Sequence, residues 1–368
     1  MIIKNAEIYQ PDFTFKSGDA YVEGDSFAIS TGGEVIDAAG QYLIPGLIDI
    51  HLHGAMGRDF SDGANEDIAT MARFLASHGV TAFSAASMTL PEDQMMTIAK
   101  TAREYKNSSG AIFAGITMEG PFFNECKKGA QNAKFLRDPD INFFNHFNAA
   151  SGGLVKVACV APELPGADAF IPYASKICTV SVAHTDADYD TARRAFKLGA
   201  RQVTHTFNAM PPFSHRAPGV VGAAADAGAY CELICDGIHI HPAMVRAAVK
   251  LFGADKVVLV SDSMRAAGLS DGDYSLGGQN VTVKDGKATL ANGTIAGGVA
   301  NLMYCVQKAV EFGVPLGDAI RMATANPAHV IGVYDTMGSI QPGKLANFVL
   351  LDKKLNVTQV YIKGVSYS

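Results

Sequence analysis

A chain of 368 residues that is 48% hydrophobic and 18% charged can bury one large core or two smaller ones and is not a disordered segment. Its net charge of −6 and the lack of any dense Lys/Arg run argue against a nucleic-acid partner or an anionic membrane surface. No apolar stretch is long enough to span a bilayer, and the N-terminal MIIKNAEIYQ reads as a strand, without the h-region or cleavage site of an export signal.

In chain order, residues from Met1 to about Gly40 read as short strands with turns at SGD, EGD and TGG. Eight short apolar runs follow: LIPGLIDIHLH, VTAFSAAS, IFAGITMEG, LVKVACVAPE, KICTVSVAHT, QVTHTFNAM, YCELICDGIHI and KVVLVSDSM. Amphipathic helices separate several of them, among them NEDIATMARFLASHG, PEDQMMTIAKTAREY, ADYDTARRAFKLG and HPAMVRAAVKLFG. Continuous apolar strands alternating with helices predict a parallel sheet, and eight such units predict an α/β fold of the (β/α)8 TIM-barrel type. The segment YSLGGQNVTVKDGKATLANGT has hairpin chemistry, with DG and NG at its turns. Helices are then expected from about Val299 to Phe312 and from Leu316 to about Thr324, where Asn326-Pro327 ends the second. The tail KLANFVLLDKKLNVTQVYIKG reads as two more strands that join those of the N-terminus. The expected organisation is a small β-sandwich domain from residues 1–44 and 338–368, and a barrel from residues 45–337. The six cysteines, Cys126, Cys159, Cys178, Cys231, Cys235 and Cys305, form no C-x-x-C pair and read as reduced thiols of a cytoplasmic protein.

In a (β/α)8 barrel the chemistry lies at the C-terminal ends of the strands. His51 and His53 stand either side of Leu52 in DIHLHG, and residues i and i+2 of a strand share a face. Later runs end in Glu119, His184, His205, His239 and Asp262. So many titratable side chains at strand tips need a partner, and a metal ion supplies one. Glu119, His184 and His205 fit a catalytic divalent site with an open position for water. Nitrogen and oxygen donors suit Zn²⁺ first, with Fe²⁺, Mn²⁺ or Co²⁺ as alternatives. Asp262 is placed to take a proton from that water and return it to a leaving amine, although SDS also suits a helix cap. His215, His241 and His329 read as ordinary loop histidines, and Met88, Met95, Met96 and Met303 as core filler.

PGLIDIHLHG and GSIQPGKLANFVLLD resemble the opening and closing signatures of the amidohydrolase superfamily. MEGPF, AHTDAD, THTFNAM, DGIHIHP, SDSM and DGKATLANGTIAGG together resemble its N-acetylglucosamine-6-phosphate deacetylase family, over nearly the whole chain. Relatives that bridge two metals with a carbamylated lysine carry it at the end of strand four; here Lys156 comes too early, which leaves Glu119 as the primary ligand. The resemblance implies one or two divalent metals per chain. Because both His51 and His53 are kept, a second site bridged by Glu119 is expected, the alternative being that the pair only hydrogen-bonds within the site. It implies substrate contacts from Asn208, Ala209 and His239, and from Ala130 and Gln131 in KKGAQN, where some members have a histidine in place of Gln131. It implies a phosphate contact from Arg216 in FSHRAPG, made in its own or a partner subunit's site, and a homodimer. The implied reaction is removal of acetate from N-acetylglucosamine 6-phosphate. The galacto epimer is an alternative substrate, and a non-catalytic scaffold a remoter alternative that the intact ligand set disfavours.

Overall fold

The computed structural model describes residues 1–367. Eight parallel strands form the barrel in chain order: Leu47–Leu52, Val80–Ser87, Ile112–Met118, Val155–Val160, Thr179–Val182, Gln202–Val203, Tyr230–Leu233 and Val257–Leu259. The first two are buried along their whole length, as continuous apolar runs require when helices cover one face and a filled barrel the other. Ile48, Ile50, Ala82, Val157, Cys159, Ala183, Ile234, Val258 and Val260 pack together inside the barrel. A larger apolar layer joins the strands to the helices outside.

The ladder runs from the first strand to the eighth without pairing those two directly. The seam is closed around the tip of the first strand and past the end of the eighth. The Asp262 N–H donates to the His51 carbonyl at 2.8 Å, and the His53 N–H to the Ser263 carbonyl at 2.7 Å. Below these bonds the Ser261 hydroxyl donates to the buried Asp49 carboxylate at 2.5 Å. Closing the barrel therefore brings the H-x-H segment against Asp262.

The helices read from periodicity form at Asn65–Ser77, Glu92–Glu104, Tyr189–Leu198 and Pro242–Phe252. Helices Ile141–Ala150, Ala167–Ala174 and Gly219–Ala227 add further crossovers. Asn326-Pro327 does not simply end the helix Leu316–Ala323. The chain breaks at Thr324 and restarts as a short helix, Ala325–Val330, with Pro327 in its first turn, where a missing N–H costs nothing. This helix lies at the N-terminal ends of the strands: Thr179, the first residue of the fifth strand, donates its hydroxyl to the Val330 carbonyl at 2.7 Å. The Asn326 amide donates to the carbonyls of Ala254 and Val257 at 2.8 and 2.6 Å, at the start of the eighth.

Strands from both chain ends form one mixed eight-stranded sheet: Ile2–Tyr9, Phe15–Glu23, Ser26–Ala28, Val35–Asp37, Tyr42–Pro45, Phe348–Leu351, Val357–Ile362 and Val365–Tyr367. Phe27 and Phe348 lie four strands apart in this order, about 19 Å in a flat sheet. Their ring centroids are 5.9 Å apart, so the sheet folds over on itself. The fold is closed where the Phe27 N–H donates to the Lys344 carbonyl at 2.8 Å. The expected turn at SGD is not a turn: residues 17–19 lie inside the second strand, and the reversal falls at Gln10–Thr14, where the Gln10 N–H donates to the Thr14 carbonyl. The hairpin after the barrel consists of Gly272–Leu276, Gln279–Lys284 and Lys287–Thr289, turning at Gly277-Gly278 and at Asp285-Gly286. Asn292-Gly293 belongs to the returning loop. Among the described residues, no helix is long and apolar enough to cross a membrane.

Asn326→Ala should leave the buried Val257 carbonyl and the half-buried Ala254 carbonyl without this donor. We expect a loss of about 1–3 kcal/mol in chemical denaturation, with metal content unchanged. A change below about 0.5 kcal/mol would show that the short helix does not hold the base of the eighth strand.

Candidate metal centre and active site

Six titratable side chains on or just beyond five barrel strands meet at one end of the barrel. His51 and His53 come from the first strand, Glu119 from the third, His184 from the fifth, His205 from the sixth and Asp262 from the eighth. All are buried. Their donor atoms fall into two groups, Glu119–His184–His205 and His51–His53–Asp262, each with its atoms within 4.8 Å of one another. In the first group, Glu119 Oε1 is 3.1 Å from His184 Nε2 and 3.3 Å from His205 Nε2, and the two nitrogens are 3.1 Å apart. In the second, Asp262 Oδ1 is 3.3 Å from His53 Nε2 and 3.6 Å from His51 Nε2. Glu119 reaches both groups, since its Oε2 is 3.2 Å from His53 Nε2.

The other ring nitrogens determine what these Nε2 atoms present. His184 Nδ1 lies 2.9 Å from the Lys127 carbonyl and His53 Nδ1 3.2 Å from the Ala86 carbonyl. His51 Nδ1 lies 2.8 Å from the Glu232 carboxylate. Carbonyls and carboxylates only accept, so these three Nδ1 atoms carry the proton and each neutral ring offers a lone pair at Nε2. His51 Nε2 and Asp262 Oδ1 are buried with no hydrogen-bond partner. Lone pairs that converge without a donor are costly unless a cation takes them. Donors at about 2.1 Å from a tetrahedral ion sit about 3.4 Å apart, so the spacing found here fits a metal.

The backbone is bent to make this arrangement. His184, His205 and Asp262 have φ of 45°, 28° and 47°, in the left-handed region that non-glycine residues avoid. The turn at Asp262 is held by Gly298, whose N–H donates to the Asp262 carbonyl at 2.6 Å. A Cβ at Gly298 would stand 2.7 Å from the Ser261 carbonyl oxygen, which explains the glycines in IAGG.

The electrostatics follow from burial and from the crowding of unlike charges. Burial alone would raise the Asp262 carboxyl, but His51 and His53 beside it bring it down to about 2. Burial would likewise raise Glu119, yet His51, His184 and His205 hold it well below the usual carboxylate range. Burial would lower His53, and the Asp262 and Glu119 carboxylates beside it lift it instead to about 10. Without a metal, protons on the His51 and His53 imidazoles balance the carboxylates; a divalent cation does the same work.

The centre lies at the bottom of a cleft of about 580 Å³ whose walls include Ala130, Gln131, Asn208, Ala209 and His239. Gln131 is committed at both ends. Its carbonyl accepts the Thr89 N–H at 2.8 Å and its amide donates to Glu119 Oε2 at 2.9 Å. His239 is not at a strand tip: the seventh strand ends at Leu233, and His239 is brought to the cleft by Asp236, whose carboxylate binds its Nδ1 at 2.7 Å. Arg216 is not brought in. FSHRAPG is an exposed loop outside the cleft of its own chain, and the cations that do line the cleft are Lys127 and Lys128. The reading from strand tips missed Glu232, Asp236 and these lysines. A lone glutamate inside the apolar run YCELIC was the one available signal.

The sequence pattern of the Amidohydrolase family matches residues 42–366, and the chain belongs to that family, an enzyme class acting on amides. Within it, the chain is similar to a group of amino-sugar phosphate deacetylases. It is 34% identical to the N-acetylglucosamine-6-phosphate deacetylase of Bacillus subtilis (strain 168), over 99% of this chain and 96% of that protein. It is also 34% identical to the N-acetylgalactosamine-6-phosphate deacetylase of Escherichia coli O157:H7, over 90% of this chain and 89% of that one. The crystal structure of N-acetylglucosamine-6-phosphate deacetylase from Pasteurella multocida superposes with a TM-score of 0.94 at 31% identity, covering 100% of this chain and 99% of that one.

A pH prediction follows for metal-free protein. His53 is raised above its unfolded value of about 6.5. The stability this contributes is complete below about pH 6.5 and is lost as pH rises through about 10. Metal competes for the deprotonated ring, so the loaded protein should keep its stability over that range. Thermal melts from pH 6 to 10, with and without metal, should diverge with rising pH. Parallel curves would rule out the imidazoles as ligands.

Proposed function

We propose that this chain is a divalent-metal-dependent deacetylase that hydrolyses N-acetyl-D-glucosamine 6-phosphate to D-glucosamine 6-phosphate and acetate. The observation that carries this is the convergence of Glu119 and four imidazoles on a space beside the Asp262 carboxylate, at the bottom of an open cleft. Similarity to the deacetylases above supplies the substrate class. Glu119, His184 and His205 would hold a primary ion, and His51, His53 and Asp262 would hold a second. Zinc suits these donors, as do iron, manganese and cobalt.

Such an ion, when bound, polarises the amide carbonyl and acidifies a water molecule. Asp262 is ionised at neutral pH and accepts the proton of the attacking water. It then delivers that proton to the amine nitrogen as the C–N bond breaks. Asn208, the Ala209 backbone and His239 orient the sugar, and Gln131 braces Glu119. Arg216 lies outside its own cleft, and we assign it to the phosphate in the site of a partner subunit, so the working form is a homodimer.

The decisive assay is acetate release from the gluco and galacto 6-phosphates after single metals are added back. The galacto substrate is the second reading, because a galactosamine relative is also 34% identical, over 90% of this chain against 99% for the Bacillus subtilis glucosamine relative. Release from neither sugar would sink the assignment.

Asp262→Asn keeps the side chain's shape but cannot accept the proton. We expect kcat to fall by roughly 10²- to 10⁴-fold with the Glu119–His184–His205 ion still bound. Near-normal kcat would reduce Asp262 to a structural role.

Arg216→Ala removes charge-assisted hydrogen bonds of about 1.5–3 kcal/mol, on the order of 10- to 200-fold in kcat/KM. Substrate lacking the 6-phosphate should suffer a similar or larger loss on native enzyme, and the two losses should not multiply. Equal weakening of both substrates by Arg216→Ala would show that this arginine does not read the phosphate.

A further inference from the structure

We propose that Glu232 is the positioning residue that makes His51 a metal ligand, and that it thereby governs whether the His51–His53–Asp262 group holds an ion. This rests on the metal-dependent reading of the site given above.

Glu232 sits on the seventh barrel strand, fully buried. A buried carboxylate costs several kcal/mol unless its oxygens are satisfied. Three donors from the first and sixth strands satisfy this one. Its Oε2 accepts from His51 Nδ1 at 2.8 Å and from the His205 backbone N–H at 3.0 Å, and its Oε1 accepts from the Gln202 amide. No lysine or arginine pairs with it among the described residues. The one charged partner open to it is the His51 ring.

The consequence falls on the far side of that ring. With Nδ1 committed to a carboxylate, Nε2 faces Glu119 Oε1 at 3.5 Å and Asp262 Oδ1 at 3.6 Å, too long for hydrogen bonds. His51 Nε2 is left buried with no partner. Only an ion or a proton at that atom resolves the arrangement. A carboxylate behind an imidazole also raises its basicity and fixes its orientation, and losing such a group typically costs a metal site 10- to 100-fold in affinity. His53 has the weaker support of a neutral carbonyl, that of Ala86. Of the two histidines in the H-x-H segment, His51 is therefore the one whose donor strength is set by a specific side chain. The same carboxylate holds the His205 N–H at a residue with φ of 28°, which links the second group to the first.

Glu232→Gln keeps the volume and one acceptor oxygen but removes the charge. The readout is metal affinity, measured by chelator competition and elemental analysis with zinc alone, independently of turnover. Native protein should bind two equivalents. Glu232→Gln should weaken the second equivalent by 10- to 100-fold and leave the first in place. In a His51→Gln background the same change should have no further effect on the second equivalent, because both act on one ligand. Undiminished binding of the second equivalent by Glu232→Gln overturns the proposal, as does a loss that persists at full size in the His51→Gln background. If native protein binds one equivalent and never a second, this proposal fails while the metal-dependent function stands. If it binds none, that function fails with it.

Should Glu232→Gln not fold, nitrogen NMR of zinc-loaded native protein decides. His51 must carry its proton on Nδ1 and its metal on Nε2. A bare Nδ1 overturns the proposal.

Discussion

Lone pairs are packed together at the mouth of this barrel with no protein donor to receive them. Nε2 of His184 and of His205 lie 3.1 Å apart, and both lie within 3.3 Å of Glu119 Oε1. A few ångströms away His51 Nε2 and Asp262 Oδ1 are buried and unpaired. No rearrangement of side chains alone settles this, because carbonyls and carboxylates behind the rings already hold three of the Nδ1 protons. The site is built for positive charge, and the geometry around it makes sense as the means of holding those atoms in place.

Closure of the barrel is part of that means. The first and eighth strands do not pair along their length, yet around the tip of the first and past the end of the eighth the backbone of His51 and His53 bonds to that of Asp262 and Ser263. The bonds that shut the barrel are thus the same ones that set the putting-together of a two-histidine segment and an aspartate more than 200 residues later in the chain. Asp49 and Ser261 reinforce the seam one step deeper, and the short helix carrying Asn326 secures the opposite end of the eighth strand. Strain is placed where it is useful. Three of the six converging residues have left-handed backbone, and the packing of a closed barrel over-determines them.

Behind the converging residues stands a set of supporting groups. Glu232 orients His51, Gln131 braces Glu119, Asp236 turns His239 into the cleft, and carbonyls of Lys127 and Ala86 fix two more rings. Such supports hold donor atoms to the narrow tolerances that metal chemistry demands. They come from neighbouring strands and loops, so each depends on the barrel being assembled.

The sequence by itself was enough for the layers of the fold and for the converging residues. Eight apolar runs separated by amphipathic segments argue for a parallel sheet covered by helices and, at eight units, for a barrel, and titratable side chains at run ends have few roles other than chemistry. Those signals are local: they are carried by periodicity and by residue type at a strand's end. What escaped was non-local or depended on backbone conformation. SGD looks like a turn but lies within a strand, because pairing with the first strand outweighs turn propensity. Gln131 reads as a substrate contact in its motif, but its partner Glu119 becomes visible only when the loop folds back over the third strand. Glu232 is one charged residue in an apolar run, and its meaning lies in His51, 181 positions away. Arg216 lies outside its own cleft, a fact of loop placement. Residue types along a strand determine which atoms can act; only tertiary structure decides which of them meet, because hydrogen bonds and lone pairs act over about 3 Å in space whatever their separation along the chain.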